Sequence, residues 1–248
     1  TQRILLMATY VALTNELLRR LNEVTLDVAG DGFDSVRNVQ ALAKDAINNA
    51  IRNIIQTGQE WPFLKTTYTQ TLVAGTREYN FPSNYSSADW ETFYLKKLSS
   101  VDNTPMHLPT ISYDEYIQKY RQLDDTGDAA GISAPNLVYQ TNESKFGVTP
   151  IPNAAYEVEY VYWSYPVDLT LYDDVAVIPD RFKHVIIDGA MMYMMRFRSN
   201  DQSAAIHQQN FENGIKSMRR VLIDEPLTVR STVLNRGKGS NSIIGSVA

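Results

Sequence analysis

Three histidines and two clusters of aspartates are the side chains of this 248-residue sequence best suited to acid–base or metal chemistry. His107, His184 and His207 fall in three separate segments. None stands in an H-E-x-x-H arrangement, which would set two imidazoles one helical turn apart around a metal. Asp168, Asp173, Asp174 and Asp180 form one acidic cluster; Asp124, Asp125 and Asp128 form the other. A calcium loop needs oxygen ligands at fixed offsets, with a glycine and a terminal glutamate. Neither cluster keeps that pattern, and turn and cap roles account for both. Glu157 and Glu159 share one face of a strand, but glycoside hydrolysis needs two carboxylates facing each other across a cleft.

Phosphate-binding and nucleophile motifs are missing as well. There is no G-x-x-x-x-G-K-[ST] loop and no G-x-G-x-x-G, and Ser35, Ser99 and Ser217 lack the strained elbow of a serine hydrolase. The absence of cysteine excludes disulfides, thiolate metal sites and a cysteine nucleophile, and leaves the redox compartment open. The expectation is therefore a chain with no catalytic, metal or cofactor-binding residues. Its net charge of -5 does not steer it toward nucleic acid. Arg219, Arg220, Arg230, Arg236 and Lys238 read as solvated or helix-terminal charges, and DNA binding would require them on one face. The apolar start, Ile4 to Met7, is too short for a membrane span or a signal-peptide core. The surplus lies in the aromatics: 15 Tyr, 8 Phe and 3 Trp. Half of them suffice to fill a core. Tyrosines left in loops and strands suit protein interfaces, because they bury apolar area and keep a hydrogen-bonding tip.

The elements that position these residues change character along the chain. Leu6, Tyr10, Leu13, Leu17 and Leu21 recur at helical spacing and predict a helix from Leu5 to Asn22. A loop from Thr25 to Asp34 leads to Ser35 as N-cap of a second helix, with Val39, Leu42, Ala46, Ile47, Ala50 and Ile54 on its buried face. From Trp61 to Trp163 the composition favours strands. Tyr68–Val73 and Arg77–Phe81 read as a hairpin across Ala74-Gly75-Thr76. Phe93–Leu98, Leu137–Gln140 and Lys145–Val148 read as further strands, Ser112–Tyr120 as a short helix, and Asp124–Ala134 as a loop. In Tyr156–Trp163 the alternation of Tyr156, Val158, Tyr160 and Tyr162 with Glu157 and Glu159 predicts a half-exposed strand. Asp180 caps a third helix with Phe182, Ile186, Gly189, Tyr193, Met194 and Phe197 on its buried stripe. Gln202–Ile223 forms a fourth, with Ile206, Phe211, Ile215, Met218 and Leu222.

This order predicts an α+β fold. Helix pairs from residues 1–60 and 178–224 form an antiparallel helical bundle, with a β-rich insertion over 61–177 and an extended C-terminal arm over 225–248. The arm, with Pro226, Gly237 and Gly239 among scattered Val, Leu and Ile, cannot fold on its own hydrophobicity, and a partner is the natural means of ordering it.

Several stretches resemble the head-to-tail adaptor proteins of short-tailed bacteriophages, a group also called tail tubular protein A or tail accessory factor. The strand Tyr156 to Trp163 leads through Tyr165-Pro166 and a short acidic linker to Ile178-Pro179-Asp180-Arg181-Phe182, and the following helix carries Asp188-Gly189-Ala190. Thr149-Pro150-Ile151-Pro152 precedes the strand. In the first half, Ala46-Ile47-Asn48-Asn49-Ala50 is followed by Trp61-Pro62-Phe63. The resemblance spans residues 35 to 223.

It implies a structural, non-enzymatic protein of the virion, made in the host cytoplasm and placed at the head–tail junction. Its copies would form a homo-oligomeric ring, typically of twelve, between the portal protein and the tail nozzle protein. Double-stranded DNA would pass through the channel without sequence-specific binding and no membrane would be involved. Contacts then matter more than chemistry. The expected partner-binding residues are Val229, Val233, Leu234, Ile243 and Ile244 on the arm, with Tyr85 and Tyr113 as exposed tyrosines of the insertion. Another virion connector or collar protein, or a tail-associated glycan hydrolase, is the alternative; some relatives have been credited with peptidoglycan degradation, and no convincing carboxylate pair stands here to carry it.

Overall fold

The computed structural model describes residues 8–26, 33, 36, 38–57, 60–97, 105–125 and 132–223. The expected N-cap Ser35, the first turn from Leu5 and the C-terminal arm lie outside the described residues. Among those described the fold is mixed α+β, with six helices and several sheets.

Helix α1 (Tyr10–Arg20) buries Tyr10, Leu13 and Leu17 as its spacing requires, and ends where Asn22 turns to φ 56°. Helix α2 (Val39–Ile55) starts after Asn38, another left-handed residue at φ 54°, and buries Ala43, Ala46, Ile47, Ala50 and Ile54. Small alanines on that face let neighbouring helices approach closely. Trp61 is fully buried and donates from Nε1 to the Ile54 carbonyl at 3.0 Å, satisfying one of the orphan acceptors at the end of α2. A 3-10 turn, Pro62–Leu64, then delivers the chain to the sheets.

Strands β1 (Lys65–Leu72), β3 (Tyr85–Lys97), β4 (Met106–His107) and β10 (Tyr156–Ser164) form one sheet in the order β1-β10-β3-β4. Strands β2 (Glu78–Asn80), β5 (Thr110–Ile111), β7 (Leu137–Asn142) and β8 (Lys145–Thr149) form a second, ordered β2-β8-β7-β5. Two-residue strands β6 (Ile132–Ser133) and β9 (Ile151–Pro152) pair separately. The expected hairpin is corrected here: β1 pairs antiparallel with β10 and β2 with β8, so the two segments enter different sheets. The turn itself is real. Tyr79 sends its hydroxyl to the Thr76 carbonyl at 2.8 Å and receives the Val73 N–H at 3.0 Å, which redirects the chain rather than folding it back. β3 also starts earlier than Phe93.

The two sheets share one aromatic cluster. Phe93 stacks on Tyr160 at 4.7 Å, and Phe146 of the second sheet lies 5.6 and 5.5 Å from these rings. Gly147 stands opposite Tyr139, and a Cβ there would meet the Tyr139 ring at 2.2 Å, so only glycine lets the ring lie across the strand. Helices α3 (Tyr113–Lys119) and α4 (Arg121–Asp125) cover the other side of Tyr139, with Tyr116 stacked on it at 3.9 Å. Asp124, expected in a loop, closes α4 and is buried, accepting from Tyr116 Oη and Thr149 Oγ1 at 3.2 Å each.

Helices α5 (Lys183–Phe197) and α6 (Asp201–Leu222) return the chain to the first core, joined at Ser199 (φ 55°) and Asn200, whose side chain caps α6 by accepting from Ser203 N–H. Asp180 opens a 3-10 turn, Asp180–Phe182, rather than α5 itself. Residues of α1, α2, α5 and α6, with Trp61, Leu64, Ala176 and Ile178, make a single apolar cluster. Two stripe assignments are corrected: Phe197 is 60% exposed at the last position of α5, and Ile206 is 56% exposed because it lies five residues before Phe211, about 140° round the helix from the face that Ala204, Phe211 and Met218 bury. At Gly189 a Cβ would lie 2.7 Å from the Phe211 ring and 2.9 Å from the Ala50 Cβ, so α5 meets α2 and α6 there at backbone distance. Gly189→Val is expected to lower stability by about 1–3 kcal/mol through overpacking, read as a drop in the urea midpoint. Phe197→Ser should leave the midpoint within about 0.5 kcal/mol of wild type.

Candidate interaction surface

Between β10 and α5, residues 165–177 cross the helical core as a strap without regular structure, and nearly every turn of it is fastened. Asn48 on α2 donates from Nδ2 to the Leu169 carbonyl at 3.0 Å and accepts the Leu169 N–H at 3.1 Å, so one side-chain amide pairs with the strap as a peptide group would. The same Nδ2 reaches Tyr10 Oη at 3.2 Å. Arg52, one turn further on, holds Asp168 bidentately, through Nε at 2.8 Å and through Nη2. Asp174 accepts the N–H groups of Thr170 and Leu171 at 2.6 and 2.7 Å, closing a turn on itself.

The strap also caps α1. That helix has no side-chain cap, and its first N–H groups donate to strap carbonyls instead: Tyr10 to Asp174 at 2.7 Å and Val11 to Tyr172 at 3.1 Å. Thr9 and Val175 form an isolated antiparallel bridge, and Ala176 N–H donates to Ala8. Electrostatics follow this geometry. The bond from Arg52 holds the Asp168 carboxyl below its ordinary value, and the backbone donors of Thr170 and Leu171 do the same for Asp174. Burial, with Asp45, Asp168 and Asp174 nearby, pushes the Tyr10 phenol up.

This fixed backbone presents several apolar side chains to solvent, alongside the exposed Asp168, Thr170 and Asp173. Val167 is 84% exposed, and Leu171, Tyr172, Val175 and Tyr165 are exposed with it. A segment whose backbone is fastened from within and which turns several apolar side chains outward is suited to contact with another protein. Sequence reasoning read this stretch as a short acidic linker and passed over these residues. The signal was there: Val167, Leu169 and Leu171 alternate with polar neighbours, and a solvated linker has no need of them.

The expected contact residues are scattered by comparison. Tyr113 is exposed at the start of α3, as is Ile117 one turn further on; Met106 and Leu123 are exposed on other elements of the insertion. Tyr85 is half-buried and stacked on Phe81 at 3.9 Å, so it is less exposed than expected. Val229, Val233, Leu234, Ile243 and Ile244 lie outside the described residues. Candidate chemistry is dispersed too. His184 is exposed, His107 reaches the Glu91 carbonyl, and His207 meets Asp188 at 3.2 Å. Glu159 pairs with Lys96. A cavity of about 630 Å³ lies against Phe81, Tyr85 and Trp90, and Glu143 is the single carboxylate lining it. Among the described residues, no three or more His, Cys, Asp or Glu side chains are placed to hold a metal, and no helix is long and apolar enough to cross a membrane.

Two apolar cores and a fastened loop with apolar side chains outward make a scaffold that carries a candidate contact surface. The chain is a member of the SU10 adaptor protein family, whose model matches residues 8–232; this is a head-to-tail adaptor family of short-tailed bacteriophages. No curated protein matches the chain.

Two measurements test the strap. Asn48→Leu strands both polar groups of Leu169 and should lower stability by about 1–3 kcal/mol for each group left without water or partner. The Arg52–Asp168 pair carries a pH signature. Because the folded-state value of Asp168 is depressed, its contribution is complete above the ordinary 3.8 and is lost as pH falls through the folded value. The thermal midpoint of Arg52→Gln should therefore lie below wild type near neutrality, and the gap should close in acid.

Proposed function

We propose that this chain is a structural head-to-tail adaptor that forms a homo-oligomeric ring between the portal and the tail nozzle, around the channel through which DNA leaves the head. The observation that carries the reading is the family match over residues 8–232, which takes in both helical ends and everything between them. In this reading residues 1–60 and 178–224 pack as an antiparallel bundle along the ring. Residues 61–177 reach out as an inserted module, and residues 225–248 are a docking arm.

The physical properties support it. A chain of net charge -5 repels phosphates on average, as suits a wall past which DNA must slide without being gripped. Asp168 and Asp174, the strap's carboxylates with depressed values, are bound to Arg52 and to backbone N–H groups, which favours a role without chemistry. The strap's exposed Val167, Leu171, Tyr172 and Val175 provide a contact surface on the helical side; the exposed Tyr113 and the half-buried Tyr85 provide contacts on the insertion. Val229, Val233, Leu234, Ile243 and Ile244 are the apolar anchors of the arm. The protein works at the head–tail junction of the virion after synthesis in the host cytoplasm.

Native mass spectrometry of the chain alone, and then with the portal protein of the same genome, tests this directly. A ring-sized complex appearing with the portal is expected, and its mass sets the copy number. A chain that remains monomeric and shows no portal affinity would sink the reading. Changing Ile243 and Ile244 to Asp together is expected to abolish assembly; unimpaired assembly would remove the arm as an anchor.

A further inference from the structure

Strand β1 is an edge without the usual protection. Among the described residues it stands at the end of its sheet, paired only with β10, and the register runs unbroken from Lys65↔Trp163 to Leu72↔Tyr156. Residues 65–69 and 71 are exposed. Edge strands are normally blunted by prolines, bulges, inward charges or shortness. This one has eight residues, no proline, no bulge, one charge at its first position, and four threonines.

The direction of its polar groups follows from its neighbour. Val161 of β10 sends its N–H toward β3, to Thr92 Oγ1 at 2.9 Å. Its register partner Thr67 is therefore not bonded to it, and Thr67, with Lys65, Thr69 and Thr71, turns N–H and C=O away from β10. The Thr71 carbonyl takes a bond from the Gln70 side-chain amide, at 3.0 Å, in place of a strand.

We propose that β1 is an acceptor edge for strand addition, and that residues 227–234 of a neighbouring copy occupy it; the proposal rests on the ring reading above. The match is one of length, pattern and charge. Leu227-Thr228-Val229-Arg230-Ser231-Thr232-Val233-Leu234 has the eight residues of the edge, contains no Pro or Gly, and is rich in β-branched side chains. Its alternation suits both sheet faces. On one face of β1, Tyr68 lies beside Tyr160 and Tyr162 with its ring partly uncovered, and Leu227, Val229 and Val233 would extend that apolar side. On the other, Thr69 and Thr71 stand opposite Glu159 and Glu157, and Thr228, Arg230 and Thr232 would continue the polar side. From Leu227 onward the chain has three basic residues and no acidic one, which complements those glutamates.

Donation between copies also satisfies closure. An edge and a strand are two different surfaces, each present once per copy, so a rotation that closes a ring leaves none unpaired. Leu227 lies four residues beyond Ile223, so the donor's α6 must end within about 14 Å of the acceptor's β1.

The chain has no cysteine, so introduced thiols report alone. Thr69→Cys is combined in one full-length chain with Thr228→Cys, Arg230→Cys or Thr232→Cys in turn, assembled on the portal protein and oxidised. The expected result is a ladder of covalently linked chains at one of the three positions, lost when Thr67→Pro removes an outward N–H from the edge. Disulfides confined within single chains would overturn the proposal, because the tail would then lie on its own edge. So would the absence of any disulfide at all three positions while wild-type rings form; rings without crosslinks leave the adaptor reading standing and remove only the donated strand. If the wild-type chain forms no multi-copy complex, both fall together.

Discussion

The pairing of Asn48 with Leu169 is the contact on which the helical half of this protein turns. One amide on α2 occupies both hydrogen-bonding groups of a strap residue 121 positions away and touches Tyr10 of α1 as well. Three separate parts of the chain are thereby held at one point: the N-terminal helix, the second helix, and the segment that leads to α5. A hydrophobic contact could hold them together, but it could not set their register, because apolar packing is not directional. Asn15 repeats the device at the other end of α1, where it accepts the Leu26 N–H at 2.7 Å and donates to the Leu26 carbonyl at 3.0 Å. In both places an asparagine side chain serves as a strand partner for an irregular segment that has none.

Most of the residues that carried the family resemblance have a mechanical reason to be what they are. Asn48 is the clamp, and Ala46 and Ala50 keep its helix face low enough for α5 to approach. Trp61 closes the end of α2 with its indole N–H, while Phe63 stacks on it at 5.6 Å. Ile178 and Phe182 are buried on either side of Pro179, so the segment is pinned to the core before α5 starts. Gly189 opens the closest approach in the helical core, and Asp188 beside it binds His207 on α6. These are positions of close packing and backbone satisfaction, which fix the relative placement of the elements that carry them.

What could be read from the sequence was what local pattern encodes. The stripe of α1, the alanine-rich face of α2 and the alternation of β10 all follow from side-chain period, and most of the residues it selects are buried; Val11, Leu18, Ala43 and Ile51 are buried beside those stripes, and Val39 and Leu42 only partly. Pairing was not legible. Ala74-Gly75-Thr76 has the composition of a hairpin turn, yet Gly75 N–H donates to Pro152 and the segments on either side join different sheets. Nothing local distinguishes those outcomes, because partner choice for β1 depends on β10, some 90 residues further on. The strap was missed for a related reason: its order comes from side chains on α2, and its own sequence holds only the Asp174 turn. Phe197 obeys helical period but sits at the last position of α5, and period alone cannot report where cover ends; Ile206 is five residues from Phe211, off the face that Ala204, Phe211 and Met218 bury.

The pairing of β1 with β10 has a consequence for how load would pass between the two cores. The chain leaves the helical cluster at Leu64 and returns to it through Ser164, and these two points are adjacent: Lys65 stands opposite Trp163, Ser164 donates from Oγ to the Leu64 carbonyl at 3.1 Å, and the Lys65 ammonium lies 5.4 Å from the Trp163 ring. Entry and exit therefore run side by side as neighbouring strands of one sheet, with β3 flanking β10 on its other edge, rather than as two independent linkers. A force applied to the sheets reaches the helices through a ladder of backbone hydrogen bonds running eight residues, which yields only if several break together. The strap begins where that ladder ends, and its first residue, Tyr165, donates its N–H to the Asn84 carbonyl at 2.6 Å. A partner that gripped the exposed Tyr165 and Val167 would therefore bear on the chain where it passes from the sheet back to the helical cluster.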